Sequence, residues 1–260
     1  MILVDYIYIL YAFGFGLIVG SFMNAAEYRL VNKLPLFLEK SGEGARSMCP
    51  QCGEQLLQRD LVPVVSYLNL RGQCRSCKKK ISWQYPAVEL VAGFMFMIPA
   101  LVFGWGAEAV FYALFGAVLL FIFIYDLKHQ MILDVVTLPA MGLALVAAVV
   151  LQLDPLELLI GVVIGGGFFA LQYFVSRGRW VGGGDIRLGI LMGLMLGWQK
   201  LLVALFLAYV SGAFTGLLLL GTKKAKLKSR LPFGVFLTVA TFICLLYGDQ
   251  IIQWYLGLLV

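Results

Sequence analysis

The sequence has little charge. Asp, Glu, Lys and Arg make up only 13% of its 260 residues, against 62% hydrophobic. An ordinary soluble domain carries about 25% charged residues, so that class is excluded. Histidine is nearly absent as well. The single His129 rules out an H-E-x-x-H metalloprotease site, no Ser/His/Asp set competes for catalysis, and His129 reads as solvated beside Lys128. No glycine-rich dinucleotide fingerprint is present. The one long polar segment, Glu27 to Tyr85, is too short for a Rossmann-type domain. The N-terminus lacks a positive n-region, and its apolar stretch from Ile2 to about Met23 is too long for a signal-peptide core. A retained first span is expected.

What the chain does have is apolar runs near 20 residues and a mean hydropathy of +0.92. These predict an all-α polytopic membrane protein. After the first span and the polar segment, runs are expected over Pro86–Phe103, Ala109–Tyr125, Ile132–Leu151, Leu156–Val175, Ile186–Leu196, Leu201–Leu220 and Phe233–Tyr247. That makes about eight transmembrane helices, the sixth short and rich in glycine and methionine. The tail Ile251–Val260 is expected to lie at an interface, where Trp254 and Tyr255 would suit it. The predicted division is a first helix over 1–26, a polar insertion over 27–85 and a membrane core over 86–260.

Charge predicts the orientation. The net +6 does not indicate nucleic acid, because the basic residues sort to one side of the alternating spans. Nineteen of the 20 Lys and Arg fall there, including Lys128, Arg177, Arg179, Arg187 and the loop Lys223–Arg230, and only Lys200 falls opposite. The other loops carry Glu108, Asp154, Glu157 and Asp249. The basic side is therefore expected in the cytoplasm and the N-terminus outside. The basic loop reads as a topology determinant near anionic lipid.

The polar segment holds Cys49-Pro50-Gln51-Cys52 and Cys74-Arg75-Ser76-Cys77, two C-x2-C pairs separated by 21 residues. Four thiolates so spaced suit a tetrahedral structural zinc site, with disulfides or a redox C-x-x-C as the alternatives. A cytoplasmic placement disfavours disulfides. Such a metal would help a small segment fold with little core of its own. Cys244, inside the last span, reads as a small core residue.

Two acids stand at the ends of apolar runs on the same side, Asp126 and Asp185, the latter in Gly182-Gly183-Gly184-Asp185. An intramembrane acid is costly and usually has a partner or a task. A helix-capping role is the plain alternative, and it is the role expected of Asp134. Small-residue faces at Gly161, Gly165, Gly189 and Gly193 read first as close contacts between the chain's own helices, and second as a docking face for a substrate helix.

With these residues placed, the chain resembles the bacterial type IV prepilin peptidases, a bifunctional leader peptidase/N-methyltransferase family, over almost its whole length. Gly20-Ser21-Phe22-Met23-Asn24 with Arg29, the two cysteine pairs, and Tyr85-Pro86-Ala87-Val88-Glu89-Leu90 are similar to family motifs. So are Asp126-Leu127-Lys128-His129-Gln130 with Thr137-Leu138-Pro139, and Leu231-Pro232-Phe233-Gly234. Gly182–Asp185 fits the GxGD motif of intramembrane aspartyl proteases. The chain departs from the family at Leu133, where Pro is common, at Arg187, where Lys is common, and at Val31.

The resemblance implies cleavage after Gly in precursors of prepilin or pseudopilin type, which have a basic leader and an apolar helix. S-adenosylmethionine-dependent N-methylation of the new terminal residue, usually Phe, is implied with it, in the inner membrane of a bacterium. Asp126 and Asp185 would be the catalytic pair, and Cys49, Cys52, Cys74 and Cys77 the zinc ligands. Two carboxylates sharing a site cannot both ionise easily, so such a pair offers one base and one acid. The rival reading is a transporter or assembly protein with a regulatory zinc ribbon, its acids serving as ion sites. It would require repeated halves, which the sequence does not show.

Overall fold

A computed structural model describes residues 2–34, 47–222 and 231–258. The expected basic loop 223–230 lies outside the described residues. The chain divides into two compact units, 1–113 and 114–260. Among the described residues every regular element is helical, and the only β pairings are the isolated bridges Met48–Gln55 and Gln73–Lys80.

In the first unit, α1 (Ile2–Val31) packs along α3 (Gln84–Phe103). Gly16 and Gly20 allow this closeness. A Cβ on Gly20 would stand 2.7 Å from the Cα of Glu89, and one on Gly16 would stand 2.8 Å from the Cα of Gly93. Small residues at a helix crossing are how membrane helices gain van der Waals contact where no hydrophobic effect drives them together. Edge-on ring pairs Phe13–Phe94 and Phe15–Phe96, each 5.4 Å between centroids, flank the contact. Between these helices lie a 3-10 turn (Gln58–Leu61) and the short α2 (Val65–Asn69).

The second unit holds the end of α4 (Ala107–His129), then α5 (Asp134–Val150), α6 (Pro155–Ser176), α7 (Gly183–Gly221) and α8 (Phe233–Gly257). Asp154 caps α6, its Oδ1 accepting from the Leu156 N–H at 2.8 Å, with Pro155 in the first turn. The glycine faces serve the chain's own packing, as expected. Gly161 and Gly165 of α6 lie directly on Gly193 and Gly189 of α7, backbone against backbone.

Among the described residues six helices are long and apolar enough to cross a membrane, and α5 is a shorter apolar helix of 17 residues. Unbroken, the 39 residues of α7 would reach about 58 Å, nearly twice a bilayer core of about 30 Å. Gly197 interrupts it with φ 69° and ψ 178°, a geometry that only glycine adopts without strain. The two arms occupy the places of the expected sixth and seventh spans, so all eight expected segments are present. Outward faces are apolar, with Phe174, Phe206 and Phe214 each at least two-thirds exposed. A water-facing surface rarely presents so many large apolar groups, whereas lipid requires them. The chain is a multi-pass membrane protein.

Two boundaries differ from expectation. Helix α1 continues past Met23 to Val31, into the polar segment. Helix α8 runs unbroken from Phe233 to Gly257, so the last helix continues past Tyr247 through most of the tail. Past the expected end at Tyr247, Lys200 of α7 pairs with Asp249 at 2.6 Å. The helix thus passes its polar point with the charge answered.

Candidate active site and metal centre

The metal centre is built from two matching knuckles in the first unit. In one, the Cys49 N–H donates to the Glu54 carbonyl and the Gly53 N–H to the Cys49 carbonyl, both at 2.9 Å. In the other, the Cys74 N–H donates to the Lys79 carbonyl at 2.9 Å and the Lys78 N–H to the Cys74 carbonyl at 3.0 Å. Gly53 and Lys78, at equivalent positions, both take positive φ, 73° and 59°. The four sulfurs of Cys49, Cys52, Cys74 and Cys77 lie within 4.8 Å of one another, and those of Cys49 and Cys77 are 4.0 Å apart.

A tetrahedral ion with metal–sulfur bonds of about 2.3 Å needs sulfurs roughly 3.8 Å apart, so the set fits one. All five cysteines are free thiols in the structure, and four of the sulfurs converge on one point rather than joining in pairs. One cluster of four thiols is likewise not a lone redox pair. The amides of Cys77 and Ser76 bring the Cys74 thiol down to about 7. The Glu54 amide acts the same way on Cys52, but burial and the three neighbouring sulfurs outweigh it and leave that thiol at about 11. A crowd of sulfurs resisting full ionisation is what a divalent cation would relieve. Arg75 binds both oxygens of Asp60, at 2.6 to 3.2 Å, tying the second knuckle to the 3-10 turn. That guanidinium holds the Asp60 carboxyl below its usual range.

The two acids belong to the second unit. Asp126 sits in the last turns of α4 and is 5% exposed. Its Oδ2 is buried with no hydrogen-bond partner. Such an atom costs about 1–3 kcal/mol if left unsatisfied, and in a folded protein it calls for an explanation. The start of α8 comes against it: the Gly234 and Val235 amides act on the carboxyl, and a Cβ on Gly234 would lie 2.8 Å from Oδ2. Asp185 stands in the first turn of α7, where its Oδ2 accepts from the Gly182 N–H at 2.7 Å. Gly184 presses on Ile132, just after α4, with room for a Cβ only 2.9 Å from the Ile132 Cβ. Asp126 and Asp185 are thus brought within electrostatic reach of each other. Asp185 does act as a cap, as the plain alternative expected. Asp126 does not, since it lies at the wrong end of its helix for an N-cap.

Two smaller expectations are corrected. Asp134 is not the cap of α5. That position is Leu133, which makes no side-chain bond, and the Asp134 carboxylate instead meets the Arg187 guanidinium at 2.6 Å. His129 is half-buried and packs on the Tyr125 ring at 4.6 Å, so it is not merely solvated. The sequence reading also passed over Tyr209, which donates to Gln172 at 3.0 Å and feels the charge of Asp185. It assigned no role to Glu89, although an acid a few residues into an apolar run was signal enough.

Comparison with known proteins places these features. Residues 15–103 match the model of the Bacterial Peptidase A24 N-terminal domain, and residues 113–217 match the Type IV leader peptidase family. The Prepilin leader peptidase/N-methyltransferase of Pseudomonas aeruginosa is 34% identical, over 93% of this chain and 91% of its own. The protein of the same name from Bacillus subtilis is 33% identical over 94% and 96%, and that of Stutzerimonas stutzeri is 34% identical over 96% and 94%. No solved structure matches the chain. Carrying both family domains in order and aligned end to end with these relatives, the chain belongs to the type IV leader peptidase family.

Proposed function

We propose that this protein cleaves the leader from type IV prepilin-like precursors and then N-methylates the new terminus, with Asp126 and Asp185 as the catalytic pair. The observation that carries the assignment is the buried, unpartnered Oδ2 of Asp126, within electrostatic reach of Asp185 where the end of α4 meets the start of α8. One carboxylate draws a proton from water as that water attacks the scissile carbonyl. The other, protonated, hydrogen-bonds the carbonyl oxygen and later gives its proton to the leaving amine. The cap bond from the Gly182 N–H fixes Asp185 at the head of α7, and the absence of a side chain on Gly234 leaves Asp126 its space. The two roles belong to the pair as a unit.

The substrate in this reading is a prepilin or pseudopilin with a basic leader and an apolar helix, cut after Gly. The Cys49, Cys52, Cys74 and Cys77 cluster holds structural zinc, since four thiolates leave no open position for water. S-adenosylmethionine supplies an electrophilic methyl group for the second step. The acids and the zinc segment face the cytoplasm and the N-terminus faces out, following the nineteen-to-one charge split. Functionally we divide the chain into 1–26 as anchor, 27–85 as zinc segment and 86–260 as protease core. The transporter reading gains no support from relatives that are named as peptidases.

The test is a peptide assay. Purified protein given a prepilin-like peptide should yield the shortened product, and with S-adenosylmethionine its methylated form. An intact peptide after prolonged incubation with well-folded protein would refute the reading.

A further inference from the structure

The first unit holds a partly open cavity of about 990 Å³ that the aspartate chemistry does not use. That is at the top of the range of about 300–1,000 Å³ for small-molecule sites. Its wall combines Ser21 and Asn24 of α1, Glu89 of α3, and residues of the zinc segment. Asn24 is 4% exposed and Glu89 7%, so two strongly polar groups are buried where membrane helices ordinarily present apolar ones. The Asn24 amide donates to the Tyr85 carbonyl at 3.1 Å. Glu89 Oε2 accepts from the Val64 N–H at 2.7 Å, and the Ser21 hydroxyl bonds the same carboxylate. Val64 supplies its N–H from φ 60°, a strained conformation for a β-branched residue that persists only where its surroundings impose it. Tyr28, Tyr67 and Tyr85 bring aromatic rings to the same wall, and Arg29 and Lys80 bring positive charge.

We propose that this cavity is the methyl-donor site, with Glu89 and the tyrosine rings receiving the donor's sulfonium. The proposal rests on the reading of the chain as an N-methyltransferase. S-adenosylmethionine carries a sulfonium, an ammonium and a carboxylate on an adenosine body. A buried carboxylate beside aromatic faces answers the sulfonium, the basic residues answer the carboxylate, and tyrosine rings offer stacking surface to adenine. A simple phosphate ligand would meet repulsion from Glu89. A lipid tail would bury Asn24 and Glu89 against hydrocarbon, which is costly for both. A donor bearing both signs of charge fits the lining better than either.

The test uses the full-length protein in detergent, with binding measured by titration calorimetry for S-adenosylmethionine and for the thioether S-adenosylhomocysteine, which keeps the ammonium and carboxylate but lacks the sulfonium charge. In Glu89→Gln the amide oxygen still accepts from Val64, so a purely structural tie survives while the charge is lost. One zinc per chain in the variant reports an intact segment. We expect S-adenosylmethionine to bind at least about tenfold more weakly to Glu89→Gln, the size of one lost charge-assisted contact, and the thioether to change much less. Ultraviolet cross-linking of labelled S-adenosylmethionine to the unaltered protein should map to peptides within residues 21–89, whatever the fate of the variant. Unchanged S-adenosylmethionine binding by Glu89→Gln, or cross-links confined to other residues, would overturn the site while leaving the methyltransferase reading intact. Unaltered protein that cleaves peptide but binds neither compound would overturn both.

Discussion

Gly234→Ala separates stability from activity at the proposed centre. The added Cβ would stand 2.8 Å from Asp126 Oδ2 and 3.1 Å from its Cγ, where ordinary contact begins at 3.4 Å. The carboxylate, or the start of α8, must therefore yield by about half an ångström. Since a misplacement of about 1 Å can cost roughly a hundredfold in rate, a loss of about tenfold in kcat is expected. Stability should move little or rise, because Ala replaces Gly in a helix, worth about 0.5–1 kcal/mol, against a clash with one movable side chain. Gly142 of α5 is the control, since a Cβ there meets nothing within 4 Å. Gly142→Ala should cleave at the unaltered rate. The assay is peptide cleavage at equal protein level, with melting followed in the same detergent. Full activity in Gly234→Ala at unchanged stability would mean that the Asp126 carboxyl does not need the position the structure gives it.

Replacing any one of Cys49, Cys52, Cys74 or Cys77 by Ser should lower zinc below one per chain and make residues 47–82 sensitive to protease, because binding energy of the metal is folding energy there. Finding no stoichiometric zinc in the unaltered protein under reducing conditions would contradict the centre. Asp134→Asn should retain most cleavage and lose at most about 1 kcal/mol of stability, since its pairing with Arg187 is half-exposed; a loss as deep as that of the Asp126 variants would assign it a catalytic part. Single cysteines placed at Lys128, Arg179 or Lys226 should resist an impermeant thiol reagent applied to intact cells, and labelling at any of them reverses the proposed orientation.

Much of this was legible in the sequence where the signal is local. The cysteine spacing, the break between the sixth and seventh segments after Leu196, and the glycine faces of α6 and α7 each follow from residues a few positions apart. What escaped depends on partners distant in the chain. Asp134 looked like a cap because Arg187, which answers it, lies on another helix. The end of the last span was placed too early because Lys200 neutralises Asp249 from α7. The cavity was hidden for the same reason: Asn24 and Glu89 come to line one space only when α1 and α3 pack together. Asp126 and Asp185 were legible as a pair of acids, and capping was legible as the plain alternative for Asp185; that Asp126 keeps a buried oxygen without a partner was not, because it depends on how α8 meets α4.

The most direct test of the pair is cleavage by Asp126→Asn and Asp185→Asn. Asn preserves size and can still hydrogen-bond, and at Asp185 its amide oxygen can accept from the Gly182 N–H, but it cannot act as a base or acid. Each variant should lose about a hundredfold to ten-thousandfold in turnover, the usual contribution of one acid–base group, while remaining folded in the membrane. The double variant should be no worse than either single one, because groups acting as a unit are non-additive. Substantial turnover by either single variant, at equal protein level, would contradict the account.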